Sequence, residues 1–137
     1  MSDWNDAIIT EFRENQGRVG GGFTDSPILL LHHVGRRSGK PYVAPMMWQG
    51  GSGDTVYVFA SKGGAPDNPE WYDNAVAAGR ASVELGTTKY EVTVRDVTGE
   101  ERDKVWTRQK AAYPGFAEYE VKTAGVRTIP VLALTRV

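Results

Sequence analysis

Three strand-forming runs follow one another with only turns between them, and this ordering constrains the fold more than any other feature of the chain. Ile28–Val34 reads as a buried strand, and residues 42–48 as a second. Gly50, Gly51 and Gly53 then turn the chain into a third, residues 55–60. Parallel neighbours need a crossover of a dozen residues or more, so these connections impose antiparallel pairing. Pro45 cannot donate to a ladder and pushes the second run toward an edge or a bulge.

Around these runs the helical signals are spaced apart. Trp4, Ile8 and Phe12 recur every four residues, with Ser2 or Asp3 as cap and Gly17 as stop, which predicts an amphipathic N-terminal helix. Gly20, Gly21 and Gly22 then form a joint, so residues 1–19 are read as a helix with the start of a linker and 20–137 as the main domain. Asn68 as N-cap with Pro69 at the first helical position opens a helix that Gly79 closes. Residues 81–85 and 88–97 flank Gly86-Thr87 as a hairpin; Tyr90, Val92 and Val94 alternate with Glu91, Thr93 and Arg95, as in a half-buried strand. Thr98-Gly99-Glu100-Glu101 reads as a capping box for a helix to about Ala112. Tyr113-Pro114 punctuates it, a short helix covers 115–122, and 128–136 is the closing strand. A doubly wound fold would alternate strands and helices throughout, and this chain does not. The expectation is a mainly β fold with helices: about six antiparallel strands in a closed or nearly closed barrel.

Composition narrows the function classes. With 137 residues, 40% hydrophobic and 24% charged, one soluble domain with its own core is expected. A formal net charge of −1 argues against a general nucleic-acid binder, so any anion site must be local. Cysteine is absent, which excludes disulfides and thiol nucleophiles. The acidic N-terminal segment has no leader pattern and no apolar run could span a bilayer, so a cytoplasmic protein without stable membrane insertion is expected.

Two turns concentrate chemistry. Ala60-Ser61-Lys62-Gly63-Gly64 ends the third strand and is followed by Asn68-Pro69-Glu70-Trp71-Tyr72. It can offer backbone N–H groups, a hydroxyl and an ammonium to an anion, with ring surfaces beside it; the alternative is a flexible connection. Gly35-Arg36-Arg37-Ser38-Gly39-Lys40 joins the first two strands with three cations and a hydroxyl. Its glycines are too close for a P-loop, and Pro41 stands where Ser or Thr is required. It is either an arginine pair gripping a phosphate or carboxylate, or a solvated basic tip. Tyr113, Phe116 and Tyr119 recur every three residues as a core stripe or as an aromatic wall over a flat substrate. His32 and His33 point to opposite faces of a strand and cannot share a metal, and no metal site is expected. No serine has a nucleophile-elbow context, and Glu100 and Glu101 are accounted for as helix-start carboxylates. An enzyme built this way would rely on a cofactor.

The GRRSGKP turn, the ASKGG loop, the NPEWY helix start, the YPGFAEY stripe and the terminal RTIPVLAL strand, in that order, resemble the deazaflavin-dependent nitroreductase family of actinobacteria. The resemblance runs from about Pro27 to Val137 and implies a split β-barrel that binds coenzyme F420. It implies that Arg36, Arg37 and Ser38, with Tyr42, Val43, Ala44, Pro45, Met46 and Met47, line the phosphate and tail side of the coenzyme. It further implies that Phe59, Ala60, Ser61 and Lys62 continue the cradle, that Glu70, Trp71, Tyr72, Asp73 and Asn74 complete it beside the ring system, and that Phe116 closes over it. Tyr113 and Tyr119 match tyrosines that shape the substrate pocket, and Ser61 a serine near the reacting substrate; these three are the candidate catalytic residues. The chain departs from the nitroimidazole-activating relatives at Met47 and Phe116, where two phenols are lost, and at Tyr42, where relatives carry an arginine whose charge Lys40 could supply. The implied reaction is hydride transfer from reduced F420 to a small electron-poor acceptor: a quinone, an activated enone or a nitroaromatic. An FMN-dependent oxidoreductase on the same barrel and a non-catalytic F420 carrier are the alternatives.

Overall fold

A computed structural model describes residues 3–15, 27–51 and 53–137. Ser2, Gly17 and Gly20 to Gly22, assigned above to a cap, a stop and a joint, lie outside them. The element order is α1 (Asp3–Glu14), β1 (Ile28–Val34), β2 (Pro41–Gly50), β3 (Thr55–Phe59), a single 3-10 turn (Lys62–Gly64), α2 (Glu70–Ala78), β4 (Arg80–Leu85), β5 (Thr88–Val97), α3 (Gly99–Ala112), α4 (Gly115–Thr123) and β6 (Val131–Arg136). The six strands close into an antiparallel barrel in the order β1-β2-β3-β6-β5-β4.

Alternation along each strand divides the side chains between barrel interior and outer faces. Leu29, Leu31, Val56, Val58, Val83, Val92, Leu132 and Leu134 fill the interior. Ile28 and Leu30 point outward and are covered by Ile8, Ile9 and Phe12 of α1. Tyr57, Phe59, Val131 and Ala133 point outward on another side, where Val105 and Trp106 of α3 and Phe116 of α4 cover them. Trp71, Tyr72 and Ala75 of α2 pack against the interior cluster and close one mouth of the barrel.

The ladder explains Pro45. All of β2 from Pro41 to Met47 pairs with β1, but only Trp48, Gln49 and Gly50 pair with β3. The proline therefore lies in the half of β2 whose second side is free of ladder bonds, which is where a missing N–H is tolerated. β1 and β3 are not neighbours, because β2 lies between them. Both run antiparallel to β2, so the turns that follow them still emerge at one end of the barrel.

Two expected sets of cap bonds are not formed, and in each a side chain expected to cap, Asn68 or Glu101, pairs elsewhere. Pro69, not Asn68, is the N-cap of α2; Asn68 Oδ1 accepts instead from Arg127 Nη1 at 2.8 Å. Thr98 precedes α3 without a side-chain cap bond. Glu101 turns back to accept from Tyr57 Oη at 3.0 Å and from both terminal nitrogens of Arg95 at 2.9 and 3.0 Å. Charge-assisted, bidentate pairing outweighs a single bond to a backbone N–H.

The N-terminal helix is fastened through one carboxylate. Arg13 of α1 donates from Nε and Nη2 to Glu84 of β4 at 3.2 and 2.8 Å, and His32 of β1 reaches the same group. Arg13 above all, then His32, holds the Glu84 carboxyl down at about 2 against the opposing effect of burial. A depressed folded pKa contributes stability that is present above the unfolded value and lost as pH falls through the folded one. Thermal melts of wild type are therefore expected to drop steeply between pH 4.5 and about 2. Glu84→Gln should start lower at neutral pH, lose less over that window, and meet wild type at its acid end.

Candidate active site

A cleft of about 490 Å³ lies at the mouth closed by α2, lined by His33, Gly35, Arg36, Arg37, Ser38, Tyr42, Val43, Ala44, Glu70, Trp71 and Asn74. This volume is in the range of small-molecule sites, roughly 300–1,000 Å³. Where the β1–β2 ladder runs up to its turn, His33 faces Tyr42 in register, and both line the cleft. Their rings stack with centroids 5.5 Å apart and planes inclined by 23°.

The β1–β2 turn is held from inside and from α2. Gly35 N–H donates to the Lys40 carbonyl at 2.9 Å, Gly39 N–H to the Gly35 carbonyl at 2.9 Å, and Lys40 N–H to Ser38 Oγ at 3.2 Å. A side chain at Gly35 would place its Cβ 2.5 Å from Ser38 Oγ and 3.3 Å from the Tyr42 ring, so the Ser38 hydroxyl that receives the Lys40 N–H would have to turn away. Arg36 ties the turn to the first turn of α2: Nη1 donates to Glu70 Oε2 at 2.7 Å and to Asn74 Oδ1 at 2.9 Å, and its backbone N–H donates to the same Oδ1 at 3.1 Å. The Arg36 guanidinium holds the Glu70 carboxyl below the usual carboxylate range. Among the described residues, Arg37 and Lys40 make no side-chain hydrogen bond or ion pair. The cleft thus presents one anchored and one uncommitted guanidinium beside the rings of Tyr42 and Trp71. That combination suits a ligand with an anionic part and a flat part.

The residues singled out from the sequence separate into groups. Arg36, Arg37, Ser38, Tyr42, Val43, Ala44, Glu70, Trp71 and Asn74 meet in the cleft. Lys40 sits on the same turn, while Pro45, Met46 and Met47 continue along β2, Met46 buried in the barrel and Met47 packed against α1 and the outer aromatic cluster. Asp73 lies on α2 outside the lining, and Tyr72 Oη donates to Asp96 at 2.5 Å, burial and that carboxylate pushing its pKa up to about 12. Phe59, Ala60, Ser61 and Lys62 form the second turn at this end; Phe59 and Ala60 are buried, and Lys62 Nζ donates to Asp67 at 3.1 Å. Phe116 packs edge-on against Phe59, Trp106 and Tyr119 at centroid distances of 5.3 to 6.0 Å. Tyr113 and Tyr119 border that cluster, and Tyr113 lines a separate shallow hollow with Trp48, Gln49 and Gln109. The 3-10 turn that follows Ser61 packs on α4: a Cβ at Gly64 would lie 3.3 Å from Tyr119 Cα.

Two residues of this end were not marked by the sequence. His33 entered only as half of an unusable metal pair, although strand alternation places it on the interior face with Leu29 and Leu31. Arg127, between α4 and β6, holds the whole second turn. Its Nε donates to the Ala65 carbonyl at 3.0 Å, Nη1 to the Ala60 carbonyl at 3.0 Å and to Asn68, and Nη2 to the Ser61 carbonyl at 2.9 Å. Lys62, at φ +47°, is left-handed within the segment so fixed.

Comparison with known proteins decides the family. The model of the F420H(2)-dependent quinone reductase family matches residues 5–136. The chain belongs to that family. An F420H(2)-dependent quinone reductase of Mycobacterium tuberculosis is 31% identical over 136 residues, covering 96% of this chain and 87% of the relative. A solved F420-H2 dependent reductase is 39% identical with a TM-score of 0.70, covering 84% of this chain and 99% of that one. A second solved relative, described as a domain-swapped dimer, is 36% identical with a TM-score of 0.71, covering 94% and 92%. The barrel is accordingly of the split type expected from the motifs, and the family is one of oxidoreductases whose coenzyme is F420. FMN is not favoured. Among the described residues no helix is long and apolar enough to cross a membrane, and no cluster of metal-ligating side chains occurs.

Proposed function

We propose that this protein is an F420H(2)-dependent reductase acting on quinones, with the coenzyme's anionic tail seated in the cleft between the β1–β2 turn and α2. The observation that carries this reading is the pair of adjacent guanidiniums, Arg36 anchored to α2 and Arg37 uncommitted, beside the Tyr42 and Trp71 rings. Those residues fit the group. Two cations answer a phosphate and carboxylates, and the rings flank a planar system.

Bound there, the reduced coenzyme supplies a hydride. The chain's own contribution is placement and protection from water. Arg36 and Arg37 fix the tail, Trp71 and Tyr42 border the cleft, and the Ala60–Lys62 turn, held by Arg127, borders the same end of the barrel. A proton must accompany the hydride to the acceptor oxygen, and Tyr113, Tyr119 and Ser61 are the proposed donors or positioning groups. Activated enones and nitroaromatics are secondary acceptors. Met47 and Phe116 offer no hydroxyl where a phenol could hold a nitro oxygen, so nitroimidazole reduction is expected to be poor.

Tyr113→Phe and Tyr119→Phe test the acceptor side. Each should bind F420 within about threefold of wild type by fluorescence titration, and at least one should lower quinone turnover by about tenfold or more, the usual scale for a lost proton donor being larger still. Unchanged kinetics with every acceptor would return both tyrosines to the aromatic core around Phe116.

A further inference from the structure

The inner wall of the cleft carries a hydrogen-bond donor whose direction is fixed by its neighbours. Asn74 Oδ1 accepts from the Arg36 backbone N–H at 3.1 Å and from Arg36 Nη1 at 2.9 Å. An atom that receives two donors is the amide oxygen, so the amide nitrogen faces His33, 3.1 Å from its Nδ1. That nitrogen can only donate. His33 Nδ1 therefore holds its lone pair, and the ring proton sits on Nε2. The ring is buried, 8% exposed. Burial first, and the neighbouring His32 second, lower its pKa and favour the neutral form. Tyr42 stacks on the ring and restricts its rotation. Among the described residues nothing accepts from Nε2, and the ring lines the cleft.

We propose that His33 is a binding residue of this cleft, donating its Nε2–H to an acceptor oxygen of the seated coenzyme while the Arg36–Asn74 relay holds its tautomer and orientation. The inference rests on the cleft being the coenzyme's seat. It adds a neutral, directional contact to the charges of Arg36 and Arg37. A cation attracts any anion, whereas a single oriented N–H selects where an oxygen must lie. Arg36 thereby has two roles, since its guanidinium and its backbone N–H orient the amide that orients His33. This links the outer charge of the turn to the inner wall.

Nitrogen-15 NMR of the histidine ring tests the assignment without turnover. In the ligand-free protein at neutral pH, His33 is expected as the Nε2–H tautomer, with Nδ1 in the unprotonated range. Addition of oxidised F420 should shift the Nε2 nitrogen and its proton while Nδ1 moves little. By fluorescence titration, His33→Leu should weaken F420 about tenfold. His33→Gln, whose amide nitrogen reaches near the Nε2 position, should stay within about threefold. An Nδ1–H or doubly protonated ring in the free protein would overturn the relay. F420 binding that leaves the Nε2 signal unmoved, with His33→Leu binding as wild type does, would overturn the contact alone. Failure of wild type to bind F420 would overturn the proposed seat of the coenzyme, and this assignment with it.

Discussion

Replacing Arg36 and Arg37 together by alanine is expected to weaken F420 binding by roughly two orders of magnitude or more, as befits the loss of two charge-assisted contacts. Arg37→Ala alone should account for a large part of it, because that guanidinium has no protein hydrogen-bond or ion-pair partner among the described residues and none is left unpaired by its loss. Arg36→Ala should cost affinity in a second way. It frees Glu70 and leaves Asn74 Oδ1 only the bond from the backbone N–H of position 36, so the tie between α2 and the β1–β2 turn is weakened. The remaining affinity should depend less on salt than that of wild type, since cationic contacts near the surface are screened within about 8–10 Å at moderate ionic strength. Fluorescence titration at two salt concentrations measures both effects. Equal salt dependence in wild type and double variant would show that the pair is a solvated tip.

The largest loss of stability is expected at Arg127. Arg127→Met would strip hydrogen bonds from three backbone carbonyls and from Asn68, and the Ala60 position is fully buried. Each buried polar group left unsatisfied costs about 1–3 kcal/mol, so a total near 3 kcal/mol is expected even if water reaches some of them. For a domain of this size that corresponds to a fall in Tm of roughly 10 °C. Arg127→Lys should recover only part of it, since an ammonium cannot reproduce the guanidinium fork. If the Ala60–Lys62 turn belongs to the coenzyme's cradle, F420 affinity should also fall, by about tenfold, under conditions where the variant is fully folded. Calorimetry and titration on the same samples separate the two effects. A Tm within 2 °C of wild type would contradict the assigned role.

The elements were legible in the sequence because each rests on a local pattern: four-residue spacing for α1, alternation for β5, Gly86 between β4 and β5. Antiparallel pairing followed from short connections. The closing pairs, β1 with β4 and β3 with β6, were not legible, because ladders between strands about 50 and 75 residues apart leave no local mark. The missing cap bonds have a related reason, although Thr98 does precede α3 as expected. Asn68 and Glu101 carry the right chemistry for a helix start, but Arg127, 59 positions away, takes the first, and Arg95 on the preceding strand, with Tyr57 44 positions away, takes the second. At the site, the Gly35–Lys40 turn announced itself by its cations. Of the α2 residues that face it, Trp71 entered as a ring beside a possible anion site, and Glu70 and Asn74 entered through family resemblance. His33 and Arg127 were passed over because each acts through partners 41 to 67 positions away. His33 had one usable signal, its place on the interior face of β1 one step before the cationic turn.

As a proposed quinone reductase, this barrel is expected to pass a hydride from reduced F420 to a quinone. The most direct test is anaerobic mixing of the purified protein with F420H2 and a soluble quinone, following the return of the oxidised deazaflavin's absorbance, with reduced FMN in a parallel cell. Catalytic oxidation of F420H2 that requires both protein and quinone, is abolished by Arg36→Ala with Arg37→Ala at subsaturating coenzyme, and is not matched by reduced FMN is the predicted result. Tight F420 binding with no protein-dependent oxidation by any quinone, or faster turnover with reduced FMN, would contradict it.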